Sequence, residues 1–152
     1  MIPHDVGKIT LVFIYLYHIT ICMSAYKYKS VLLVDDNFID NMINQKILNN
    51  ADFAEKITVK QSCETAIEYL QELIDNQQEL PQVIFLDIRM PVKTGFDFLV
   101  EYQQLQTEKK EQVKIVMLSS SLDPSDHKKI TEFHNVTDFF GKPLTGDLLK
   151  GI

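Results

Sequence analysis

Five short strand-like stretches, the first, third and fourth of them mainly apolar, recur along the chain, and the segments between them place their apolar residues at helical spacing. This alternation constrains the fold more than any other feature. The runs are S-V-L-L-V at 30–34, a β-branched stretch at 56–60, V-I-F-L at 83–86, and two more at 113–118 and 137–140. After the first run Ile39, Met42, Ile43 and Ile47 share one helical face. After the second come Ala66, Ile67, Leu70, Leu73 and Ile74, and after the third Phe96, Leu99, Val100 and Leu105. A more polar helix is expected over roughly 124–134, and a short last helix over 144–152. Uninterrupted apolar runs suit strands buried on both faces, as in parallel sheets covered by helices. Five βα units with right-handed crossovers then give a doubly wound α/β sheet, with most of the stripes serving as core.

Composition bounds the function. A chain of 152 residues, 45% hydrophobic and 24% charged, suits one compact domain. A formal net charge of -6 and a pI near 5.1 argue against nucleic acid as a direct partner, because covering a phosphate backbone needs a basic face. Cys22 and Cys63 have neither metal-ligand nor CxxC spacing, and His4, His18, His127 and His134 form no ligand cluster with them. Isolated reduced thiols are expected. No internal repeat or low-complexity segment interrupts the pattern.

The ends of the runs carry the chemistry. The first run ends in Asp35 and Asp36, the third in Asp87, the fourth in Ser119, and the fifth leads into Lys142-Pro143. A single Asp in such a place is equally a loop residue or a helix N-cap. In open α/β sheets, however, ligands bind outside the carboxyl ends of the strands. The fold would therefore gather three carboxylates, a hydroxyl and an ammonium at one edge. Carboxylates so close raise one another's pKa unless a cation intervenes, and a hard, oxygen-liganded ion such as Mg²⁺ answers that need. One carboxylate is then placed to attack a phosphoryl group while the metal and Lys142 offset charge on its oxygens. The Ser119 hydroxyl is available to hydrogen-bond the product phosphate.

V-L-L-V-D-D-N, I-F-L-D-I-R-M-P, V-M-L-S-S and F-F-G-K-P-L, in that order over residues 30–152, resemble the receiver domain of bacterial two-component response regulators. Each motif is weak alone; their order at successive strand ends is specific. The resemblance implies a flavodoxin-like (βα)5 sheet in order 2-1-3-4-5. It also implies that Asp87 accepts a phosphoryl group from a histidine kinase or a histidine phosphotransfer protein. Asp36 would bind Mg²⁺ directly, Asp35 largely through water, and the backbone carbonyl of Arg89 would add a ligand. Ser119 and Lys142 would hold the phosphoryl oxygens, with the Lys142-Pro143 bond cis. Phe139 would be the switch aromatic that turns inward as Ser119 moves, or else plain core. Arg89 and Ser121 would flank the site and govern water access.

A phosphoacceptor switch, rather than an enzyme with a separate substrate, is the expected class. Phosphohydrolases resembling haloacid dehalogenases also use an aspartyl nucleophile, but they place a second Asp two residues later, where this chain has Arg89. A module indifferent to phosphate would not need the full set of residues. Output is expected through an unidentified protein, either by passing the phosphoryl group onward or through the face of the fourth helix, fifth strand and last helix.

Residues 1–29 form an apolar lead distinct from the receiver at 30–152. Its segment at 9–23 is apolar on every face and follows Lys8, yet is shorter than the roughly 20 residues a membrane span needs. No small-residue cleavage site follows it. Translation is expected to start at Met23, with residues 1–22 upstream of the domain and a membrane tether as the alternative. The expected location is cytoplasmic.

Overall fold

The computed structural model describes residues 25–121 and 123–152. The expectations for the lead at 9–23 and for Cys22 fall outside these residues. Strands and helices alternate: β1 (Tyr28–Val34), α1 (Phe38–Asn50), β2 (Ala54–Lys60), α2 (Cys63–Asp75), β3 (Val83–Asp87), α3 (Gly95–Gln104), β4 (Lys114–Ser119), α4 (Pro124–Ile130), β5 (Val136–Gly141) and α5 (Gly146–Leu149). A short 3-10 helix (Glu108–Gln112) precedes β4. The strands form one parallel sheet in the order β2-β1-β3-β4-β5. This is the flavodoxin-like arrangement expected from the sequence.

The sheet explains why its central strands read as unbroken apolar runs. Leu32, Val34, Ile84, Leu86, Ile115 and Met117 face α2 and α3, where they meet Ala66, Leu70, Phe98 and Tyr102. Their neighbours Val31, Leu33, Val83, Phe85, Val116 and Leu118 face the opposite way, against Leu48, Phe53, Leu144 and Leu149. Successive side chains alternate between faces, and both faces are covered, so no position in the middle of a strand can be polar. In β3 the one polar residue, Asp87, is at the carboxyl end, and β4 likewise ends in Ser119.

Local chemistry starts the helices. Asn37 caps α1 by accepting from the Ile39 and Asp40 N–H groups. Thr94 and Asp97 form a reciprocal capping box on α3, and Asp123 caps α4 ahead of Pro124 at its first position.

Three sequence expectations need correction. Ile39, Met42 and Ile43 are exposed, and the buried residues of α1 are Asn41, Asn44 and Leu48. Three of the four stripe residues therefore face away from the core, and only Ile47 packs against it. α4 ends at Ile130 rather than near residue 134, because the Phe133 N–H turns back to the Ile130 carbonyl and the Val136 N–H to that of Phe133, leading the chain into β5. The last helix is four residues long, against nine expected; Thr145 caps it, and Gly146 and Gly151 at its two ends are weak helix formers.

Candidate functional site

Between β1 and β3 the direction of sheet growth reverses, which leaves a crevice at the carboxyl edge. Asp35 follows β1 directly, and Asp87 is the last residue of β3. Asp35 is fixed from several sides. Its Oδ1 accepts the Asn37 N–H at 2.9 Å, and its carbonyl accepts the Asn41 side-chain amide at 2.7 Å. The inward turn of Asn41 thus has a reason: it secures the backbone of a site residue.

The backbone of Asp87 is held equally closely. Gly95, the first residue of α3, donates its N–H to the Ile88 carbonyl, and a Cβ built on it would lie 2.5 Å from the Asp87 carbonyl oxygen. Only glycine fits against that strand end. The intervening loop carries Val92, which is 95% exposed, at a φ of 68°. A β-branched residue in this left-handed region is strained.

Asp35, Asp36 and Asp87 present carboxylate oxygens that all lie within 4.8 Å of one another, with Asp36 exposed and the other two buried. Lys142, just past β5, brings its Nζ to 2.6 Å from Asp35 Oδ2, 2.9 Å from Asp40 Oδ2 and 3.1 Å from Asp87 Oδ1. The first two contacts are hydrogen bonds. The third is an ionic contact without hydrogen-bond alignment, and Asp87 Oδ1 is buried with no donor of its own among the described residues. Burial raises the Asp87 pKa above its ordinary value, and the Lys142 charge offsets only part of that. Asp35 is raised for the same first reason, with the Lys142 hydrogen bond opposing. For Lys142 burial works downward, yet its bonds to Asp35 and Asp40 prevail and raise its pKa. One ammonium thus faces three carboxylates, and a buried oxygen lacks a hydrogen-bond partner among the described residues. Such a donor set fits a hard divalent cation.

The remaining residues named from sequence are placed less uniformly. Ser119 ends β4, but its hydroxyl donates to the Ser121 carbonyl at 2.6 Å and accepts the Ser121 N–H at 3.1 Å. The hydroxyl is therefore engaged within its own loop. Arg89 lies in the loop after Asp87, and its guanidinium pairs with the buried Asp126 of α4 at 2.9 Å. Phe139 of β5 is half-buried, with the His127 ring of α4 edge-on at 4.4 Å. The Lys142-Pro143 bond is cis, as expected. Cys63 is a free, buried thiol that donates to the carbonyls of Lys93 and Thr94, and burial pushes its pKa up to about 11.

Sequence reasoning missed Asp40, Asn41, Gly95 and Asp126. The first two sit one helical turn after the acidic pair, a spacing that returns side chains toward the strand end. Gly95 had the signal of a glycine opening a helical stripe. Asp126 had none.

A model of the response regulator receiver domain matches residues 31–152. The chain belongs to this family. Among solved structures, this receiver is similar to a two-component response regulator from Cytophaga hutchinsonii, with 34% identity and a TM-score of 0.77, covering 82% of this chain and 93% of that one. Among curated proteins, it is 26% identical over 120 residues to a probable methanogenesis regulatory protein, FilR2, of Methanothrix harundinacea, covering 79% of this chain and 76% of the relative. Response regulator Rcp1 of Synechocystis is also 26% identical, over 70% of this chain and 71% of its own length. The solved Mn²⁺-bound form of Rcp1 superposes with a TM-score of 0.65, over 81% of this chain and 88% of that one. The receiver is accordingly a CheY-like switch of two-component signalling. Receiver domains bind Mg²⁺ or Mn²⁺ at an acidic pocket, and the Asp35, Asp36 and Asp87 cluster is consistent with such a pocket. No helix among the described residues is long and apolar enough to cross a membrane.

Proposed function

We propose that Asp87 accepts a phosphoryl group from a histidine kinase or histidine phosphotransfer protein, and that the phosphorylated receiver signals through contacts with another protein. The observation that carries this reading is Asp87 Oδ1, a buried carboxylate oxygen without a hydrogen-bond donor among the described residues, 3.1 Å from Lys142 and grouped with Asp35 and Asp36. Asp35, Asp36, Asp87 and the Arg89 carbonyl would hold Mg²⁺, which supplies charge neutralisation on the phosphoryl oxygens. The Asp87 carboxylate attacks phosphorus, the bond from phosphorus to the donor histidine nitrogen breaks, and that nitrogen leaves with the electron pair. Gly95 and the β3 backbone hold the nucleophile still, and Lys142 compensates the added charge.

After transfer, the Ser119 hydroxyl exchanges the Ser121 carbonyl for a phosphoryl oxygen, which pulls on the β4–α4 loop. Phe139, between β5 and α4, responds through packing, since it has no hydroxyl. Arg89 and Ser121, two positions beyond Asp87 and Ser119, would govern access of water to the acyl phosphate.

A donor protein that reaches Asp87 must rest on the rim around it. Exposed apolar side chains are available on the elements that follow the two acidic strand ends: Phe38, Ile39, Met42 and Ile43 on α1, and Val92 in the loop after Asp87. Exposed apolar side chains on elements that leave a charged crevice suit a protein surface. The phosphodonors also argue for a cytoplasmic location.

Incubation with Mg²⁺ and acetyl phosphate, followed by intact-mass measurement, is expected to add one phosphoryl group to the wild type and none to Asp87→Asn. Equal labelling of the variant would overturn the assignment. Rapid turnover of many phosphoesters by the wild type would favour a hydrolase instead.

A further inference from the structure

Lys142 has three N–H donors and three carboxylate neighbours. Two of these, Asp35 and Asp87, belong to the cluster suited to a cation, whereas Asp40 does not. Asp40 also differs in setting. Its side chain is 32% exposed, against 4% for Asp35 and 3% for Asp87. It stands on the first turn of α1, where an acid is favoured by the helix dipole alone. Yet its carboxylate reaches across 102 residues of sequence to Lys142 Nζ.

A cation drawing on the carboxylates of Asp35 and Asp87 would compete with the ammonium for two of its three partners. Asp40 is the carboxylate that remains. We propose that Asp40 is a positioning residue that keeps the Lys142 ammonium facing Asp87 while the acidic cluster is loaded, so that Lys142 meets the phosphoryl oxygens without first being reordered. The inference rests on Asp87 being the phosphoacceptor. A long, flexible lysine held in place beforehand loses less entropy when the phosphoryl group arrives.

The sign of the effect separates this role from two simpler ones. Asp40 is negative, so by field alone it repels an incoming phosphoryl group, and its neutralisation would tighten binding. A residue that only serves the helix dipole would leave binding unchanged. A positioning role predicts weaker binding when the charge is removed.

The test compares wild type, Asp40→Asn and Asp40→Glu in two measurements. Titration calorimetry at saturating Mg²⁺ gives the affinity for beryllium trifluoride, a phosphoryl mimic. Nuclear magnetic resonance of the ¹⁵N-labelled proteins at saturating Mg²⁺ gives the solvent-exchange rate of the Lys142 ammonium protons. Asp40→Asn is expected to bind the mimic about tenfold more weakly, the scale of one lost charge-assisted hydrogen bond. It should also exchange the Lys142 protons faster, and Asp40→Glu should recover part of both effects. Tighter or unchanged binding by Asp40→Asn overturns the proposal, and so does weaker binding with unchanged exchange at Lys142. If the wild type itself fails to bind the mimic, the phosphoacceptor reading fails instead, and the exchange rates still decide whether Asp40 holds Lys142.

Discussion

Asp126 offers the sharpest energetic test of how this receiver is built, because its carboxylate is nearly inaccessible while its cation is not. The side chain is 4% exposed, and that of its partner Arg89 is 53% exposed. Truncating Arg89 to Ala strands the carboxylate inside α4. Removing one member of a fully buried pair costs about 3–5 kcal/mol, and losing a hydrogen bond to a charged group about 1.5–3 kcal/mol. The lower range applies, since water already shares the Arg89 guanidinium. The α4 N-terminus, where Asp126 lies, softens the loss by about 0.3–1 kcal/mol. Arg89→Ala is therefore expected to destabilise by about 2 kcal/mol, which moves a urea midpoint by roughly 1 M. Asp126→Asn keeps the shape and removes the charge, so adding it to Arg89→Ala should restore about 1 kcal/mol although it is destabilising in the wild type. Urea denaturation of the four proteins of this cycle supplies the coupling energy. An Arg89→Ala cost below about 0.5 kcal/mol, with effects that simply add, would refute the argument.

Two further outcomes follow from the packing and charge of the site. In chelator, Asp87→Asn should melt higher than wild type at neutral pH. Burial raises the Asp87 pKa above its ordinary 3.8, so the folded state binds more protons than the unfolded chain, and wild-type stability falls as pH rises from 3.8 through the raised value. Thermal melts from acid to neutral pH should show the two proteins converging in acid. Mg²⁺ at a hundred times its dissociation constant should add about 2.7 kcal/mol to the wild type and much less to the variant. On α1, Ile39→Ala or Met42→Ala should change stability by less than about 0.5 kcal/mol, whereas Leu48→Ala should cost about 2–5 kcal/mol. Chemical denaturation of the three variants checks which face of the helix is core.

The sequence by itself determined the elements, their order and the positions of the chemistry. Strands covered on both faces must be apolar throughout, so V-I-F-L-D could be read as a buried strand whose first permissible polar residue, Asp87, lies at its end. The same reasoning located Asp35, Ser119 and Lys142, and four motifs in one order were enough to recognise the family. Only the tertiary structure decided which face of α1 is buried. Helical spacing marks a stripe but not its direction, and here the interior takes Asn41 because the Asp35 carbonyl needs a donor there. It also decided the ion pairs. Asp40 meets Lys142 from 102 residues away and Asp126 meets Arg89 from 37, and no local pattern encodes either distance. Burial of an apolar residue is signalled by its neighbours in sequence, whereas a charge becomes tolerable inside only when the fold delivers its partner.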